Sequence, residues 1–170
     1  NQTASKPNCC TIPSILKLCK KMTYMLKDLL DWDEILKQPR SAGGHLDVLK
    51  VLFKGARVIM TYHEEDYTGE ELCVYKLEDG RVVLLSDYFG SCSGCDSWEG
   101  STYEEARNMC IQLANNAKIF GSVTALAINI ANNELQSYSY RAADELLPEL
   151  WMHIEDTSDT RFLDACGKYL

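Results

Sequence analysis

The chain has 170 residues, 46% of them hydrophobic and 25% charged, enough apolar material for one sizeable core and too little length for two full domains. Its formal charge of −8 repels phosphate backbones and argues against sequence-independent nucleic-acid binding. No apolar run approaches the roughly 18 residues of a membrane-spanning helix and no secretory signal peptide is visible; a start at Asn1 is consistent with removal of an upstream segment.

Residues 1–10 read as a flexible tail and residues 11–170 as a single α+β domain. Within the tail, Asn1-Gln2-Thr3 is a glycosylation sequon that would favour secretion. Eight cysteines (Cys9, Cys10, Cys19, Cys73, Cys92, Cys95, Cys110 and Cys166) form an even set, but a chain this rich in Leu, Ile and Val does not need disulfides. A cytoplasmic or virion setting is therefore favoured over a secreted one.

Pro13 fits the first turn of a helix, and the spacing predicts an amphipathic helix over 13–37. Ile15, Leu18, Met22, Met25, Leu29, Trp32 and Leu36 recur in steps of three and four, with Leu16, Leu26 and Leu30 widening the stripe. Residues 1–27 hold five lysines and no acid, which leaves a net charge of about −13 on the remainder. Lysines lie toward the start of this helix and Asp28, Asp31, Asp33 and Glu34 toward its end, against the preference of the helix dipole. A core-facing helix is the plain reading. The sharper one is a docking helix whose binding residues are Ile15, Leu18, Met22, Met25, Leu29 and Trp32, for a protein partner or a second copy.

A second helix is predicted over His45 to Lys54, ended by Gly55. The period then changes to that of strands: Arg57–His63, Leu72–Leu77 and Arg81–Tyr88 predict a three-stranded antiparallel meander within residues 56–90. Glu78-Asp79-Gly80 is a short hairpin loop. The acidic connection from Glu64 to Glu70 lacks the alternating ligand order of a calcium loop and reads as a solvated tip. Further on, Ser101-Thr102-Tyr103-Glu104 has capping-box spacing and opens a helix over 102–118. Helical segments follow over Val123–Ile130 and Tyr140–Ile154, the latter with Pro148 as a kink or boundary. The fold class expected is α+β, a small three-stranded antiparallel sheet packed against several helices.

Between the last strand and the capped helix lies Tyr88-Phe89-Gly90-Ser91-Cys92-Ser93-Gly94-Cys95-Asp96, a Cys-x-x-Cys pair in a Gly/Ser loop. Such a pair permits thiol exchange, half of a metal site or a local disulfide. A thioredoxin-like site needs a parallel crossover and a proline facing the thiols, and here the strands read as antiparallel, with prolines only at 7, 13, 39 and 148. Structural zinc needs four ligands. Cys92 and Cys95 supply two, and Cys73, Cys110, His63 or His153 would have to converge on them; zinc is the one cofactor the sequence brings into view. The bland alternative is a structural loop with Tyr88, Phe89 and Trp98 as core anchors. Catalytic motifs of hydrolases, nucleotide-binding proteins and zinc proteases are absent. His45, His63 and His153 stand isolated, and Glu64-Glu65, Glu70-Glu71 and Glu104-Glu105 read as solvated faces.

At Ser86–Asp96, and at the later Leu113-Ala114-Asn115-Asn116-Ala117, the chain resembles a group of small uncharacterised proteins encoded by bacteriophages and other viruses, over roughly residues 56–120. The resemblance implies that the sheet, the cysteine loop and the following helix form one unit, and that the setting is viral. It carries no activity. The function expected is a non-enzymatic structural or interaction protein, self-associating or docking through the N-terminal helix. The rival is a thiol-based redox or zinc-binding module centred on Cys92 and Cys95, with Cys73 and Cys110 as further candidates.

Overall fold

Three runs of β-branched and aromatic residues pair as antiparallel neighbours and set the frame of the molecule: β1 (Arg57–His63), β2 (Thr68–Lys76) and β3 (Val82–Gly90). The computed structural model describes residues 25–41, 45–64, 68–90, 97–132, 140–154, 157–158 and 160–167. The sheet has four strands and not the three expected. β4 (Lys118–Phe120) pairs with the start of β3, giving the order β1-β2-β3-β4. Helix α3 (Tyr103–Asn116) accordingly ends two residues short of the boundary expected at Lys118, and the chain turns straight into the sheet edge.

Alternation along the strands sends side chains to two buried faces. Leu72, Val74, Val82 and Leu84 belong to one apolar layer with α4 (Val123–Ala131), α5 (Tyr140–Trp151) and α6 (Thr160–Cys166). Cys73, Tyr75, Val83 and Leu85 belong to the other, with Leu26, Leu30, α1 (Trp32–Ile35), α2 (His45–Val51) and α3. The sheet is thus the middle of three layers.

The β2–β3 hairpin closes as expected, with Gly80 at φ +85°, a conformation that side-chain-bearing residues rarely adopt. Its amide donates to the Leu77 carbonyl, and the Asp79 carboxylate accepts from Arg81 N and Nε. The capping box forms one residue later than expected. Thr102 is the N-cap, its Oγ1 accepting from Glu105 N, while the Glu105 carboxylate accepts from Thr102 N. Helix α2 ends at Val51, not Lys54, and Phe53 instead bridges to Leu30. Pro148 lies inside α5.

The described part of the expected N-terminal helix is not continuous. A 3-10 turn at Leu26–Leu29 and the single turn α1 are separated by Leu30 and Asp31, where Asp31 N donates to the Leu52 carbonyl and Leu30 bridges to Phe53. Tertiary hydrogen bonds to the segment after α2 replace helical ones there. The residues that enter the core are Leu26, Leu30 and Ile35, whereas Met25 and Leu36 of the expected stripe are exposed. The expected stretch 13–24 lies outside the described residues.

Candidate functional site

Across the first three strands, His63 pairs with Glu71 and Glu71 with Asp87, so these three positions form a row on one face of the sheet. β1 reaches this register through a bulge between Val58 and Met60. Over the row sits His45, the first residue of α2. Its Nδ1 lies 3.0 Å from Glu71 Oε2 and its Nε2 lies 3.0 Å from Asp87 Oδ2, while His63 Nδ1 lies 2.9 Å from Glu71 Oε1. Glu71 is 2% exposed and His45 is buried. Trp98 flanks His45 with ring centroids 6.3 Å apart, and its Nε1 donates to the Pro39 carbonyl.

Burial works against a charged imidazole here, but the Asp87 and Glu71 carboxylates outweigh it and push His45 up to about 9. At neutral pH the ring is therefore an imidazolium donating from both nitrogens, one to each carboxylate. Such a histidine cannot accept a proton from a substrate. It fastens the start of α2 to β2 and β3, while at the other end of the same segment Leu52 N donates to the Tyr75 hydroxyl. The helical segment is pinned to β2 at both ends.

This corrects two sequence expectations: His45 and His63 are not isolated, and Glu71 is no part of a solvated face. His153 follows α5, on the other side of the sheet. Among the described residues no three His, Cys, Asp or Glu side chains are placed to hold a metal ion. The reason is visible in the row, where the polar atoms of His45, His63, Glu71 and Asp87 face one another and do not converge on a common point.

Of the candidate thiols, Cys92 and Cys95 lie outside the described residues. Cys73 and Cys110 are free and buried in the same apolar layer, and burial pushes both thiols up to about 12. They are protonated at neutral pH, hence poor nucleophiles. Of the candidate binding residues, Ile15, Leu18 and Met22 lie outside the described residues. Met25 is 54% exposed, Leu29 is half-buried, and half-buried Trp32 carries the Arg107 guanidinium 5.3 Å above its ring.

Beside Trp98 a groove of about 260 Å³ opens between the segment from Ile35 to Arg40 and the start of α3. Ile35 and Ala106 form its buried parts, with Leu36 at 48% and Tyr103 at 53% exposure on its walls. No described helix is long and apolar enough to cross a membrane. No family model, curated protein or solved structure matches the chain.

Proposed function

We propose that this chain is a non-enzymatic interaction protein that self-associates through its N-terminal amphipathic segment, in the viral setting that the cysteine-loop resemblance implies. One observation carries the reading. Of the described part of the stripe that periodicity marks as apolar, Leu26 and Leu30 enter the core and Leu29 and Trp32 pack against it, while Met25 and Leu36 stay on the surface. Large apolar side chains left exposed beside a filled core are what a docking segment needs. The charge distribution supports a second copy as the partner, since a lysine-rich N-terminal segment and an acidic remainder attract each other between molecules.

Sedimentation velocity of the full chain, from micromolar to near-millimolar concentration at low and high salt, tests this. The expected result is a concentration-dependent oligomer that salt weakens and that Met25→Glu with Leu36→Glu abolishes, leaving the melting temperature unchanged. A wild-type chain that stays monomeric throughout sinks the proposal.

The alternative is a redox or zinc module at Cys92 and Cys95. What bears on its redox form is the state of Cys73 and Cys110, whose buried, protonated thiols are slow partners in disulfide exchange. Mass spectrometry under native conditions separates the two readings through bound metal or missing thiol hydrogens.

A further inference from the structure

We infer that Asp79 is a site of spontaneous backbone modification, conversion of aspartate to isoaspartate at the Asp79–Gly80 bond, which the β2–β3 hairpin and Arg81 hold in check.

Asp79-Gly80 is the one place in the sequence where Gly follows Asp or Asn. The chemistry is intramolecular. The Gly80 amide nitrogen attacks Asp79 Cγ, the amide proton and a carboxyl oxygen leave in a molecule of water, and a succinimide ring closes. Water then adds to the main-chain carbonyl carbon of Asp79 and breaks its bond to the Gly80 nitrogen, so that the chain runs on through Cγ. One water leaves and one returns, and no oxidant or cofactor takes part. Glycine favours the attack because it has no side chain to obstruct it. The site is open as well: Asp79 is exposed, and among the described residues nothing lies within 4 Å of where a Cβ of residue 80 would stand.

The same turn withholds both reacting groups. Gly80 N donates to the Leu77 carbonyl at 3.0 Å, which occupies its proton. The Asp79 carboxylate is turned to the residue beyond, with Oδ1 accepting from Arg81 N at 3.1 Å and Oδ2 from Arg81 Nε at 2.7 Å. Ring closure requires the carboxyl group to leave Arg81 and swing onto Gly80 N, so it proceeds from the opened hairpin. The bond matters because this turn sets a register, with Lys76 opposite Val82 and Glu71 opposite Asp87. Isoaspartate adds a methylene to the main chain at the tip, and so tight a loop has no slack to absorb it. The converted chain therefore holds Glu71 and Asp87 less firmly under His45.

The test ages the full chain at neutral pH and body temperature, native and in guanidinium chloride, and counts isoaspartate at position 79 by peptide mapping with electron-transfer fragmentation. The unfolded chain should accumulate it at least about tenfold faster than the native one, the ratio reading how rarely the hairpin opens. Native Arg81→Ala, its fold verified by circular dichroism, should convert several-fold faster than the wild type; Arg81→Gln replaces it should the alanine variant unfold. The converted form, separated by ion exchange, should melt below the unconverted protein. An unfolded chain that forms no isoaspartate removes the site. Equal rates in native and unfolded wild type remove the protection, and a native Arg81 variant that ages like the wild type removes Arg81 from it. An unchanged melting temperature after conversion shows that the turn does not hold the register.

Discussion

His63 and Glu71 face each other across β1 and β2, Nδ1 to Oε1 2.9 Å, although β1 carries one residue too many for a regular ladder. Val58 is opposite Tyr75 and His63 opposite Glu71, so five steps along β1 match four along β2, and the bulge at Ile59 absorbs the difference. Ile59 and Met60 then both enter the apolar layer of α4–α6, and His63 reaches the opposite face, where His45 waits. One inserted residue thus brings His63 into the polar row.

The row makes stability depend on pH in a defined direction. His45 is held at about 9, against 6.5 for a free imidazole. Its contribution is therefore fully present below pH 6.5 and is lost as pH rises through about 9. At roughly 1.4 kcal/mol per pH unit this amounts to about 3 kcal/mol. Thermal melts should fall steadily from pH 6.5 to 9.5. His45→Gln should be about 3–5 kcal/mol less stable at pH 6.5, because it leaves two carboxylates without their cation, and should lack the slope. A wild-type profile flat across this window contradicts the geometry.

Deleting Ile59 should close the ladder and not destroy it. Met60 would then follow directly on Val58 with both still opposite their present partners, so the loss is one buried Ile side chain, about 2–5 kcal/mol. Two-dimensional NMR of the ring nitrogens should still report His45 protonated at pH 8. If that signal disappears while the deletion variant stays folded, the bulge holds the row by more than register.

The capping register can be read by mutation. Thr102→Ala should cost about 1 kcal/mol in chemical denaturation. Glu105→Ala should lower stability measurably and Glu104→Ala should not, since only Glu105 accepts from the Thr102 amide. Equal effects of the two glutamates would return the cap to Ser101.

Cys73, Cys110 and Cys166 should resist alkylation in the native chain at pH 8 and react fully in denaturant, because burial raises all three thiols. Peptide mapping by mass spectrometry checks each site. Rapid native labelling of Cys73 or Cys110 would return them to the list of reactive thiols.

Much of the framework is legible in the sequence because it is local. Arg57–His63 is recognised residue for residue from its composition. Ser101-x-x-Glu104 and Thr102-x-x-Glu105 match the same capping pattern, and only the backbone angles at Thr102 decide between them. β4 escapes because three residues carry too little period to separate them from the helix before. The stripe of residues 25–36 misleads because hydrogen bonds to Leu52 and Leu29 break the helix that gives the stripe its meaning. The row itself is half legible. A hairpin centred on Asp79 sets Glu71 and Asp87 eight residues to either side, hence opposite each other. His63 is hidden by a bulge, and His45 by the distance along the chain.

The two apolar faces of the sheet also differ in when they can be covered during synthesis. The layer of Leu26, α2 and α3 is encoded by residue 116, so one face can close as soon as the strands pair. The other face, with Met60, Leu72, Val74, Val82 and Leu84, waits for α4, α5 and α6. A chain that has emerged only as far as residue 122 therefore presents a half-dressed sheet. That intermediate, not the finished protein, is the species most in need of a chaperone.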